Sequence, residues 1–251
     1  LLLTGDTLDV IVCHLPSRSG GAKESEPYRL HAARILRTEA DSLLNIRLHP
    51  QLVIMGDFND YPTNKSIKEI LEATDPQQSV TFPNPRKLYH LLARKATSRH
   101  FGSYKYHGKW GLLDHLIVSG NLLDTSSKFF TGEDKATVAR LPFLLTEDKK
   151  YGDDEPFRTY KGMKYQGGIS DHLPVYADFI LAEIQGGYKS TVNHSAGHSR
   201  KEKKEFFMLI NGVRYKIYLF LQGLQHLQKI PPMETFDEKQ LLKAISEGDE
   251  K

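Results

Sequence analysis

The chain has a single cysteine, Cys13, among 251 residues. One thiol excludes an internal disulfide framework and a cysteine-built zinc site. Its place in the stretch Leu8-Asp9-Val10-Ile11-Val12-Cys13 reads as that of a small buried hydrophobe. Long apolar runs are missing as well, and nothing approaches the roughly 18 uninterrupted apolar residues of an ordinary membrane span. One-sided charge is also scarce. The net charge is +3, and basic residues are spread over the whole length apart from the cluster Arg200 to Lys204. The electrostatic footprint of a strong DNA binder is therefore absent. An initiator methionine is missing too: the chain opens Leu1-Leu2-Leu3 and runs straight into a strand. We therefore expect it to be the back part of a longer protein. The localisation stays open, since a leader would precede such a start and the parent could be exported.

What is present alternates between strand and helix patterns. Residues 8–13 read as a strand, followed by turn chemistry in Pro16-Ser17-Arg18-Ser19-Gly20-Gly21. From Tyr28 to Leu44, the residues Leu36, Ala40, Leu43 and Leu44 recur at helical spacing with Arg and Glu between them, which predicts an amphipathic helix. Gln51 to Met55 predicts a strand that ends at Gly56 and delivers Asp57 to its carboxyl edge. A second helix is expected over Lys65 to Ala73, with Asn64 as its N-cap. Tyr104 and Tyr106 alternate in a strand leading to a turn at Gly108. Leu112 to Ser119 and Leu173 to Ile180 predict two further strands. Between Gly120 and Gly168 the pattern weakens into a long polar insertion, expected to be a solvated loop with a functional edge. The whole predicts a layered α/β domain with reactive residues along one sheet edge, over residues 1–182. Residues 183–251 read as linker and tail, including an apolar stretch at Glu205 to Leu227 and a capping box at Thr235 to Glu238.

Several polar residues stand at the ends of these predicted strands. Asp57 and Asn59 lie two apart, so both can face one side; a carboxylate there can take a proton from water or hold a metal, while an amide donates without repelling phosphate. Taken alone the pair is as well explained by an Asx turn. Asp114 interrupts an apolar run, where a charge is costly unless paired, and a carboxylate in that place can orient an imidazole. His115 follows it, points to the opposite face and receives no role. Asp171 and His172 diverge in an extended segment, so one can face a cation and the other a substrate. His14 leaves the first strand at the same relative place, with Arg18 nearby as a candidate bidentate phosphate clamp. Each has an ordinary structural explanation when isolated; it is the set that points to phosphoester hydrolysis.

That set resembles the endonuclease/exonuclease/phosphatase superfamily, which includes DNase I-like nucleases, inositol polyphosphate phosphatases and sphingomyelinases. Gly56-Asp57-Phe58-Asn59 and Ser170-Asp171-His172 match its segments in full, and Leu113 to Leu116 matches its Leu-Asp strand. His14-Leu15-Pro16-Ser17-Arg18 and Tyr104-Lys105-Tyr106 to Trp110 look like the forms found in Bacteroidetes-type members. The resemblance spans roughly residues 8 to 181. It implies a DNase I-like four-layer β-sandwich flanked by helices, a phosphorylated substrate (nucleic acid or small phosphoester), and Mg²⁺ or Mn²⁺ in preference to zinc.

By the same resemblance, His172 is the imidazole at the scissile phosphate, held by Asp114. Asp57 activates or positions water, Asn59 orients that water or a phosphate oxygen, Asp171 is a metal ligand, and His14 stabilises developing charge. The family's early Asn and its metal-binding Glu precede the His14 segment, so a chain starting at Leu1 is expected to hold metal weakly, to be poorly active or inactive, and to leave an apolar sheet face bare. The rival expectation is a non-catalytic fusion or interaction module. Substrate and oligomeric state stay open. The hydrolase reading requires the imidazole of His172 to lie within about 10 Å of the Asp57 and Asp114 carboxylates, which is already beyond reach through one water.

Overall fold

The computed structural model describes residues 7–78, 83–181, 208–210 and 213–215. In chain order the elements are β1 (Leu8–His14), α1 (Glu26–Ile46), β2 (Gln51–Asp57) and β3 (Leu88–His90). The hairpin β4 (Tyr104–Tyr106) and β5 (Lys109–Gly111) follows, then β6 (Asp114–Ser119). Short strands come next: β7 (Phe129–Phe130), β8 (Ala136–Val138), β9 (Leu145–Glu147), β10 (Asp154–Pro156), β11 (Tyr160–Lys161), β12 (Lys164–Tyr165), β13 (Val175–Ala177) and β14 (Ile180–Leu181).

The principal sheet has the order β1-β2-β6-β3. β1 and β2 are parallel, and a parallel pair needs a crossover, which α1 supplies. Ala33, Leu36, Ala40 and Leu44 recur at spacings of three and four and form the buried face of α1. Pro27 near its first turn needs no intrahelical N–H partner there. At the other end, Arg47 grips Asp9 through two 2.8 Å hydrogen bonds, which ties the helix terminus back to β1.

Strand periodicity divides the core. On β2, Leu52 and Ile54 face α1 together with Ile117 of β6, in a cluster that also holds Phe58 and Ile67. The alternate residues Val53 and Met55, with Leu116 and Val118, face the other way, against Phe129, Ala136, Val138, Leu173 and Val175. These last residues come from the antiparallel pairs β8–β13 and β7–β14 and from the segment before β13. Each fully buried leucine or isoleucine contributes roughly 2 kcal/mol. The described residues thus form a helix layer, a mixed sheet and a second β layer, which is the DNase I-like α/β architecture. The second face of the sheet is covered over β2, β6 and β3, contrary to the bare face anticipated, while the edge strand β1 keeps Val12 exposed on it.

Two other expectations need correction. The front of the 120–168 stretch is not a solvated loop, since Leu122, Phe129, Ala136, Val138 and Leu144 are core residues, whereas residues 149–168 are mostly exposed, as expected. Phe129, Ala136 and Val138 lie in strands of two or three residues and Leu122 and Leu144 in short 3₁₀ turns, all too short to display a period. The helix expected from Lys65 to Ala73 is a π-helical turn over Ser66–Ile70, and its start has no side-chain cap. Asn64 Oδ1 instead accepts from the Tyr61 N–H and from Arg18 Nη2. Of the apolar tail stretch, Met208–Ile210 pairs antiparallel with Val213–Tyr215. The linker from Gly186 and the capping-box segment at Thr235 lie outside the described residues.

Candidate active site

Backbone register assembles the site. His14 is the β-ladder partner of Asp57, and Asp57 is in turn the partner of Asp114, so three polar residues stand in a row across the ends of β1, β2 and β6. Gly56 makes the first contact possible. Its φ is +136°, and a Cβ there would come within 1.9 Å of the Cys13 carbonyl oxygen. The fourth member arrives by an isolated bridge between Tyr104 and His172. Ser103 fixes the join: its Oγ accepts the N–H groups of Leu113 and Asp114, both at 3.2 Å, and its carbonyl accepts the Leu173 N–H.

One ligating atom from each of Asp57, Asp114 and His172 lies within 4.8 Å of the other two, well inside the distance the hydrolase reading requires. All three residues are buried. His172 Nδ1 is 2.6 Å from Asp114 Oδ2. Burial works against a charged imidazole, but the Asp114 hydrogen bond and charge outweigh it. Asp57 and Asp171 add to this, and the His172 pKa is pushed up to about 9. Asp57 is displaced upward as well, first by burial and then by the Asp114 carboxylate, with His172, the Asn59 N–H and His14 pulling the other way. His14 is exposed, and its Nε2 lies 3.4 Å from Asp57 Oδ2.

Asn59 sits at φ +51°, a left-handed conformation that asparagine tolerates better than most residues. Its N–H donates to Asp57 Oδ1 at 2.8 Å. Its side-chain amide donates to the Leu15 carbonyl at 3.0 Å and reaches Asp57 Oδ2 at 3.4 Å. In this arrangement the residue serves Asp57 directly. The Asx geometry and the contact to Asp57 are one and the same.

Arg18 does not present a free fork to a phosphate. Its Nε donates to the Asn59 carbonyl at 2.7 Å, while Nη2 reaches Asp60 Oδ1 and Asn64 Oδ1 at 3.3 and 3.1 Å. The edge expected to clamp substrate holds the Asn59 loop instead, and the guanidinium lies 4.5 Å above the Tyr61 ring. Beneath it is a group that the sequence did not announce. Asp60, buried, faces Arg29 Nε at 2.8 Å and accepts from Ser66 Oγ at 2.6 Å. Arg29, on α1, is buried too, and also donates to Ser25 Oγ and to the Ala22 carbonyl. A polar residue on the buried stripe of α1, in line with Ala33, was the one available signal.

Asp171 lies outside the three-residue group and is half-buried beside His172. The group itself suits a metal poorly, because His172 Nδ1 is taken by Asp114 and an imidazolium repels a cation. Mg²⁺ keeps several waters and is commonly held by one or two carboxylates plus substrate phosphate. The Asp171 carboxylate is compatible with that mode of binding.

Among solved structures, the chain is similar to a functionally unknown conserved protein from Enterococcus faecalis V583. Identity is 16%, the TM-score 0.36, and the match covers 71% of this chain and 52% of that one. It is also similar to an endonuclease/exonuclease/phosphatase family protein from Bacteroides thetaiotaomicron, at 16% identity and a TM-score of 0.32, covering 59% and 44% respectively. The chain thus spans about half the length of the solved relatives it matches. No curated protein matches it. The model of the Endonuclease/Exonuclease/phosphatase family matches residues 2–180. With the strand-end residues of that match gathered at one sheet edge, the chain belongs to the endonuclease/exonuclease/phosphatase family.

Proposed function

We propose that the chain carries the water-activating and charge-stabilising half of a metal-dependent phosphoesterase centre, acting on a phosphodiester or phosphomonoester. At the family level, membership supports phosphoester hydrolysis. The observation that carries the finer reading is the convergence of Asp57, Asp114 and His172 within 4.8 Å.

Asp57, aligned by both donors of Asn59, takes the proton from an attacking water as the water oxygen bonds to phosphorus and the ester oxygen departs. His172, protonated at neutral pH through Asp114, faces the negative charge that grows on the phosphoryl oxygens. His14, exposed at the rim, contributes to the same charge. A Mg²⁺ or Mn²⁺ ion held by Asp171 supplies Lewis-acid polarisation of a phosphoryl oxygen when bound. Arg18 acts on Asn59 as a positioning residue.

The test is hydrolysis of bis-p-nitrophenyl phosphate and of p-nitrophenyl phosphate by the full chain, in Mg²⁺ and in EDTA. Slow, Mg²⁺-dependent turnover that falls by about 100-fold or more in His172→Ala is the expected result. Absence of turnover, or turnover indifferent to EDTA or to that substitution, refutes the reading.

A further inference from the structure

Leading away from His172, the β4–β5 hairpin carries a run of aromatic rings that the hydrolytic chemistry does not use. The Tyr104 ring lies 4.8 Å from that of His172, tilted by 41°. Tyr106 follows at 6.4 Å and is nearly parallel to Tyr104, at 13°. His107 stacks on Tyr106 at 4.1 Å and 13°, and Tyr151 continues the run 6.0 Å from His107 at 23°.

The local causes are plain. Tyr104 and Tyr106 are two apart on a strand and so share a face. His107 and Gly108, at φ +48° and +75°, form the two-residue turn between paired Tyr106 and Lys109, the positive-φ geometry that hairpin twist favours. Gly108 is also required by Tyr151, whose Cβ would lie 2.7 Å from a Cβ at position 108. Tyr151 is anchored from below: its N–H donates to Asp148, which forms a buried 3.0 Å ion pair with Lys105 of the same hairpin.

The frame is fixed while much of two rings stays in solvent, with Tyr106 60% and Tyr151 46% exposed even though His107 stacks on Tyr106. Single exposed tyrosines are ordinary. Here the exposed rings continue a series that leads to the imidazole of His172, the last step tilted and the others near-parallel. Cations accompany it, with the Arg158 guanidinium 5.1 Å from the Tyr104 ring and the Lys150 ammonium 4.9 Å from that of Tyr151.

We infer that this hairpin is a stacking platform for nucleobases and that the phosphoester presented to His172 belongs to single-stranded nucleic acid. The inference takes the position of the scissile phosphate from the function proposed above. Flat π-faces beside cations match bases on a phosphate backbone. In a duplex those base faces are already stacked on one another.

The test reads binding, not turnover. Fluorescence anisotropy in EDTA compares the full chain with a labelled short oligothymidylate, the same strand built of abasic units, and a duplex of equal length. The thymidine strand is expected to bind most tightly. Tyr106→Ala is expected to weaken that binding by about 5- to 100-fold, the range of one lost base stack, and Tyr106→Phe to retain it. Tyr106 is exposed, and an unchanged melting temperature verifies that the variants fold. Equal binding of the abasic strand or of the duplex, no effect of Tyr106→Ala, or no saturable binding overturns the inference. Base-dependent binding without hydrolysis would sink the catalytic reading alone; hydrolysis with base-independent binding would sink the platform alone.

Discussion

Asp114 and His115 are neighbours on β6, yet they open onto opposite faces of the sheet and onto two histidine environments that could hardly differ more. On one face His172 shares a 2.6 Å contact with Asp114, and its pKa rises to about 9. On the other, burial brings the His115 pKa down to about 4, and burial with the charge of His115 takes His90 well below its usual value. The second pair is neutral and fully satisfied. The Leu92 N–H donates to His90 Nδ1, His90 Nε2 donates to His115 Nδ1 at 2.5 Å, and His115 Nε2 donates to the Asp60 carbonyl at 2.9 Å. Burial is common to both places, so the partner decides the charge: a carboxylate holds a proton on the imidazole, and a second imidazole in a dry core does not. The charged pair faces the candidate site; the neutral pair props the loop on which Asn59 stands.

The sharpest way to break this contrast is Asp114→Asn. His172 then loses the largest of the influences that oppose its burial, its pKa falls, and hydrolysis is expected to drop by roughly 10²- to 10⁴-fold. Titration of the His172 ring protons by NMR checks the first outcome; an imidazole still titrating near 9 would refute it.

Asp60→Ala attacks the other side. It leaves the Arg29 guanidinium buried without its carboxylate, at a cost of about 3–5 kcal/mol in urea unfolding. A loss under about 1 kcal/mol, the scale of an exposed ion pair, would show that the group contributes little.

A stability profile against pH sharpens the comparison without any substitution. His90 and His115 have lowered folded pKa values, so their contribution is present above the unfolded value of about 6.5 and lost as pH falls. For His115 that loss runs down to about 4. His172 has a raised one, so its contribution is present below about 6.5 and lost as pH rises toward about 9. Stability in EDTA should therefore peak between these limbs, with His115 and His172 each contributing on the order of 3 kcal/mol and His90 adding to the acid limb. Asp57, itself raised, opposes the acid limb, and Asp57→Asn removes that opposition. A flat profile contradicts the assignment of charge states.

The smallest effect is expected from Arg18→Ala. It should cost about 1–3 kcal/mol through the lost contacts to Asn59 and Asp60, while the His172 titration stays unmoved. A shift in that titration would show the loop and the charged pair to be coupled.

How much of this was legible in the sequence depends on the range over which each feature is encoded. β1, α1, β2 and β6 announce themselves through local periodicity, and Asp57, Asn59, Asp114 and His172 through short motifs at strand ends. Asp60 and Ser103 are defined largely by contacts distant in sequence and no local pattern marks them, while Arg29 is marked only by its polarity on the buried stripe of α1. Arg18 was misread because a basic residue near a phosphate-type motif says nothing about which carbonyl or carboxylate will reach it first. The π-turn at Ser66 was missed because Asn64, a good cap by type, has its oxygen engaged by Tyr61 and Arg18.

The lone thiol of β1 has a practical consequence. Burial and then the Asp57 charge push Cys13 up to about 12, and its Sγ donates to the Met55 carbonyl across the β1–β2 ladder. Near neutral pH the thiolate that alkylating reagents attack is therefore almost unpopulated while those strands stay zipped. The rate of iodoacetamide capture becomes an intrinsic clock for their parting, with a single readable mark per molecule and no introduced label.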